Sequence, residues 1–114
     1  MLYNHTRKGR IVSKVRHCRN SGEKARGLMF SLPIRDECLV FHFNPPKKID
    51  LHMMFVFYPI DVIFLDKGRK VVEMKENFLP FTLHISRKKA NYVVELPNGA
   101  INAKEIRLGD RLDF

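Results

Sequence analysis

Asp61-Val62-Ile63-Phe64-Leu65-Asp66-Lys67-Gly68-Arg69-Lys70-Val71-Val72-Glu73-Met74-Lys75 holds two short, strand-like runs either side of a polar turn. Gly68 supplies the positive φ that a tight hairpin commonly needs, so the stretch reads as two antiparallel strands joined at residues 66–69. Upstream, Ile49, Leu51, Met53, Phe55 and Phe57 recur at period two, which places five apolar groups on one sheet face and turns Asp50, His52 and Met54 to the other. Cys38 to Phe43 is a further apolar strand. It is expected to stop at Asn44, Pro45 and Pro46, because proline removes backbone donors.

Farther out, residues 10–18 alternate as a partly solvated strand, and Ser21 is placed to cap a short helix through Glu23, Ala25 and Leu28. Downstream, Phe81 to Ile85 and Tyr92 to Leu96 read as strands separated by a basic loop at Arg87, Lys88 and Lys89. Pro97, Asn98 and Gly99 make a turn, and Ala100 to Arg107 reads as a second short helix before Gly109. No repeat and no linker divides the chain. The expected fold is α+β, mainly β: a compact, strand-rich, barrel-like single domain over residues 1–114 with one or two short helices, residues 1–9 being a candidate basic arm.

Composition bounds the function classes. The 114 residues are 45% hydrophobic, enough for one core without disulfide or metal support. The apolar stretch 51–65 is broken by His52, Pro59 and Asp61 and is too short to span a bilayer, and no apolar signal region opens the chain. A cytoplasmic protein with no membrane partner is expected. Cys18 and Cys38 form no metal-binding spacing and read as buried thiols, although their pairing is open from sequence. The net charge is +9, and residues 1–26 carry eight Lys and Arg against Glu23 alone. Such a face attracts phosphates through counterion release, and it serves solubility equally well.

Ala25-Arg26-Gly27-Leu28-Met29-Phe30 resembles the opening signature of the family of domains of unknown function numbered 192, DUF192. Leu39-Val40-Phe41, Pro59 to Asp66, Val94-Glu95-Leu96-Pro97 with Gly99, and Ile106 with Gly109-Asp110 are similar to its later motifs in order. Where many members carry Trp-Met-Lys-Asn-Thr, this chain has His52-Met53-Met54-Phe55-Val56 and keeps only a methionine. The resemblance implies a compact β-rich fold and brings no activity, substrate or cofactor with it.

Candidate binding residues are Arg26, His52 and Asp61. Asp61 lies between apolar neighbours, where an unpaired carboxylate would lose hydration, and Arg26 is a partner candidate because both belong to family-like motifs. A structural role for Asp61, a binding role and a small enzyme built on this carboxylate all stay open. The leading reading is a noncatalytic accessory or binding domain, since one carboxylate is no acid/base pair. His52, Met53, Met54, Met29 and Cys38 are soft ligands, but adjacent strand residues face opposite ways, so no metal site and no cofactor is assigned. His17 beside Cys18 meets the same objection, and His5, His42 and His84 read as isolated. For a nucleic-acid partner the contacts would be Lys8, Arg10, Arg87, Lys88 and Lys89, with Tyr3 or Tyr92 to stack on bases. Another protein is the other partner class.

Overall fold

The computed structural model describes residues 1–20, 33–53 and 55–114. The Ser21 helix, Met29, Met54 and the candidate Arg26 lie outside these residues. Eight strands run as β1 (Leu2–Asn4), β2 (Gly9–Val12), β3 (Lys14–Cys18), β4 (Glu37–His52), β5 (Ile60–Leu65), β6 (Val71–Phe78), β7 (Leu83–Pro97) and β8 (Leu112–Asp113), with the one described helix, α1 (Ala100–Ala103), before β8. They form a three-stranded sheet, β2-β1-β8, and a five-stranded sheet, β3-β4-β7-β5-β6. The molecule is mainly β with a small helix, as its sequence predicts.

The β5–β6 hairpin is present in antiparallel register from Ile60↔Phe78 to Leu65↔Val71. Its left-handed residue is Arg69, at φ 63°, rather than Gly68. Asp66 makes this workable. Its side chain accepts the Lys70 N–H at 2.9 Å and its backbone carbonyl accepts the Arg69 N–H. All six residues of β5 are buried, because the strand is covered on both faces. One face meets Leu39, Phe41, Met53, Phe78 and Val93. The other meets Leu2, Ile11, Leu112 and Ile101, supplied by the small sheet and α1.

Several expectations are corrected. Residues 10–18 are two strands in different sheets, broken at Ser13, and β3 pairs with β4 in parallel. Residues 2–4, inside the expected basic arm, form β1 with Leu2 fully buried. β4 does not stop at Pro45. It runs on to His52 because a bulge between His42 and Lys47 lifts the prolines out of the ladder, where no amide donor is needed. The alternation from Ile49 holds through buried Met53 and then fails: Phe55, at φ 59°, and Phe57 are exposed. Residues 87–89 are not a loop. β7 runs unbroken from Leu83 to Pro97. The second helix is one turn, ending at Ala103.

Cys18 and Cys38 are not joined in a disulfide and are buried on opposite sheet faces, and desolvation pushes the Cys38 thiol up to about 12. Among the described residues no helix is long and apolar enough to cross a membrane, and no three His, Cys, Asp or Glu side chains are grouped to hold a metal ion.

Candidate functional site

The buried carboxylates separate structural from functional candidates. Asp61 is 1% exposed and both of its oxygens are used. One accepts the Asn77 N–H at 3.0 Å, which the register shift opposite Asp61 removes from the β5–β6 ladder. The second accepts the Ile101 N–H at 2.9 Å in the first turn of α1. Asp110 is also buried and gathers three donors on one oxygen, from the Asn4 amide at 2.9 Å, the Arg7 guanidinium at 2.8 Å and the Arg107 N–H at 3.0 Å. Burial alone would raise its pKa. These bonds and the Arg7 charge reverse that and hold the carboxyl below the ordinary aspartate value.

Glu95 is different. It lies in a cross-strand row with Leu39 and Val62, continued through Leu39 to Arg16 on β3. Its Oε1 is buried without a hydrogen-bond partner. Desolvation raises its pKa to about 7, and the Arg16 charge only partly opposes this. A carboxylate between Val94 and Leu96 is a signal for a perturbed group that sequence reasoning missed.

The basic segment of β7 is held rigidly. Between Lys48 and Asp50 the β4–β7 register shifts, and the freed Arg87 and Lys88 N–H groups both donate to Glu73 Oε1, at 2.8 and 3.0 Å. The second Glu73 oxygen meets His84 Nε2 at 2.8 Å. Burial would raise the Glu73 pKa, but these bonds and the His84 charge bring it below the usual value. Buried Ser86 accepts the Ile49 N–H at 2.8 Å and donates to the Lys88 carbonyl, fixing the bulge from the other side.

This bulge sets Arg87, Lys88 and Lys89 beside Lys47 and Lys48, with Lys48 directly opposite Lys89. Along the same ribbon Asp50 faces Ile85 and His52 faces Leu83, so these four share one face. Leu83 is 73% exposed and Ile85 71%. At the ribbon's end the Met53 carbonyl accepts the Phe81 N–H at 2.8 Å and the Thr82 carbonyl accepts the Met53 N–H at 2.8 Å. Phe81 there meets Phe57 and Phe55 edge-on, at ring separations of 5.4 and 6.2 Å. Phe57 is 63% exposed. The result is a run of five cations continuing into an exposed apolar and aromatic end.

The other candidates are dispersed. Lys8 and Arg10 are exposed on the small sheet, in the β1–β2 turn and on β2, while residues 87–89 belong to the large sheet. His52 is exposed at the end of β4 and Met53 is buried, as alternation requires. Tyr92 is packed against Phe114 at 5.2 Å and His42 at 5.3 Å. His42 and His84 are not isolated: His42 Nε2 lies 2.7 Å from His17 Nδ1, and His84 holds Glu73. Sequence reasoning missed Lys47, Lys48, Phe55, Phe57, Phe81, Leu83 and Ile85. The lysine pair was legible as charge. The exposed apolar groups were hidden by a period that suggested burial.

The model of the DUF192 family, described as uncharacterized ACR, matches residues 3–114. A UPF0127 protein of Thermococcus sibiricus is 33% identical, over all of this chain and 74% of its own length. A UPF0127 protein of Pyrococcus furiosus is 31% identical over 99% of this chain and 97% of its own. The crystal structure of a protein of unknown function from Novosphingobium aromaticivorans superposes with a TM-score of 0.82 at 28% identity, covering 88% of this chain and 74% of that one. One from Sinorhizobium meliloti, whose name offers it as a transcription regulator, has a TM-score of 0.86 at 24% identity over 98% and 88% of the two chains, a likeness of fold.

Proposed function

We propose, for a chain that belongs to the DUF192 family of uncharacterized proteins, a noncatalytic binding domain whose ligand is single-stranded nucleic acid. The observation that carries this reading is the β4–β7 ribbon, where Lys47, Lys48, Arg87, Lys88 and Lys89 lie at one end and exposed Phe55, Phe57 and Phe81 at the other, with exposed Leu83 and Ile85 between. Cations neutralise phosphates, and aromatic rings give any base a stacking surface worth roughly 1–3 kcal/mol per base. The Glu73 and Ser86 bonds pre-order the cationic segment, so less entropy is lost when a strand binds. A second copy of the chain is a poor occupant, because like charges would meet across the contact.

The noncatalytic part of the reading is supported by Asp61. A general base must come within hydrogen-bond reach of the proton it removes, and Asp61, 1% exposed with each oxygen already bonded to a backbone N–H, gives a substrate no approach. The test is a titration of a fluorescent single-stranded oligonucleotide by the wild type and by a Phe57→Ala/Phe81→Ala variant. Wild-type binding should weaken steeply with salt, and the variant should bind at least tenfold more weakly with an unchanged fold. No wild-type binding at about 100 μM protein near physiological salt, the weak end of ordinary nonspecific affinity, would overturn the nucleic-acid reading. The apolar end would then belong to a protein partner.

A further inference from the structure

We infer that the turn of the β5–β6 hairpin and the start of β8 form a second site, for a small anion carrying adjacent phosphoryl groups. Lys67, Gly68, Arg69, Lys70, Arg111 and Asp113 line a depression of about 460 Å³ there. Four of the six are cations. They come from segments far apart in sequence, brought together because Val71 N–H donates to the Asp110 carbonyl and Leu112 N–H donates to the Arg69 carbonyl, at 2.8 and 2.9 Å.

The arrangement is costly without a ligand. Lys70 and Arg111 stand directly opposite in an antiparallel bridge, where like charges destabilise the pair. Among the described residues neither has a carboxylate in ion-pair contact, and Asp113, the one acidic lining residue, lies 3.5 Å from His5. Asp66 is committed to the Lys70 backbone N–H. Arg69 adopts the left-handed conformation at φ 63°, a local strain of the kind that collects at binding sites.

The Arg69 side chain is held in place. Its guanidinium sits 4.2 Å from the Phe114 ring centroid and 5.7 Å from that of Tyr92, and it donates to the Phe114 carbonyl at 3.4 Å. A guanidinium held over the Phe114 ring and hydrogen-bonded to its carbonyl is restrained, and its remaining N–H groups are of the kind that suits phosphate oxygens. Around it Lys67, Lys70 and Arg111 are exposed point charges free to close on further oxygens. A lone monoanion would leave most of this charge unmatched. Linked phosphates would use it.

The site is separate from the β4–β7 ribbon, so its test is independent of the proposed function. Inorganic tripolyphosphate is titrated into the full chain and followed by calorimetry and backbone amide shifts, with inorganic phosphate and a single-stranded oligonucleotide as parallel arms. Tripolyphosphate should bind one to one, shift the amides of residues 67–70 and 111–113, and bind at least tenfold more tightly than phosphate. Lys67→Ala/Arg111→Ala should weaken it at least tenfold with an unchanged melting temperature, and Asp113→Asn should tighten it. Arg87→Ala/Lys88→Ala/Lys89→Ala should leave it alone. If the oligonucleotide alone perturbs residues 67–70, the anion is a strand backbone and the small-ligand inference fails. Non-saturating shifts over all basic surfaces, or equal losses in the two sets of variants, would also overturn it.

Discussion

β7 is one strand with two different environments. From Tyr92 to Pro97 it lies between β4 and β5 in the centre of the large sheet, with Val93 packing on one face and Val94 and Leu96 on the other. From Leu83 to Lys89 it pairs with the far end of β4, exposes Leu83 and Ile85, and carries three cations on a pinned bulge. Both halves carry apolar residues. The first half uses them to hold the fold, and the second shows them to solvent, where they add nothing to stability unless something covers them.

The comparison breaks most visibly under truncation. Leu96→Ala leaves a cavity in a close-packed face and should cost roughly 2–5 kcal/mol in denaturant unfolding, whereas Ile85→Ala should stay within about 0.5 kcal/mol. Equal losses would mean that the two halves are equally structural. Asp61→Ala, beside the packed half, strands two backbone donors and should cost about 2–4 kcal/mol by the same measurement.

Glu95 gives an effect of opposite sign within the packed half. Its folded pKa, about 7, lies above its ordinary value of 4.5, so the folded state holds the proton more tightly. The stability linked to it is complete below pH 4.5, falls as pH rises, and is lost above pH 7. Glu95→Gln removes the penalty. It should raise stability at pH 8 by up to about 3 kcal/mol and leave it nearly unchanged at pH 4, as read from unfolding curves at the two pH values. Arg87→Ala/Lys88→Ala/Lys89→Ala should likewise stay within about 0.5 kcal/mol, because Glu73 binds the backbone of this segment. Its signature is in binding: the logarithmic salt slope should fall by about 2 for three lost phosphate contacts.

How much of this was legible follows the physics of each element. The β5–β6 hairpin could be read because buried apolar runs and a polar turn are local signals, and the two cysteines could be read as buried thiols. The turn's positive φ falls at Arg69, one residue past the glycine that sequence favours, since Asp66 stabilises it there through bonds that only the folded turn displays. β4 and β7 each read as two strands, parted near Pro45 and Arg87, because proline has no N–H for the ladder and a run of charge resembles a loop, while a bulge accommodates both. The basic character of the ribbon was half legible: Arg87 to Lys89 were named, and their neighbours Lys47 and Lys48 depend on a register that sequence does not contain. The role of Asp61 depended on Asn77 and Ile101, both far along the chain.

On this proposal the exposed half of β7 binds while the packed half supports it. Backbone amide shifts recorded as a single-stranded oligonucleotide is added test it most directly. Saturating shifts are expected at residues 47–52, 55–57 and 81–89 with residues 93–96 unmoved. Shifts confined to other surfaces, or none at saturating oligonucleotide, would contradict it.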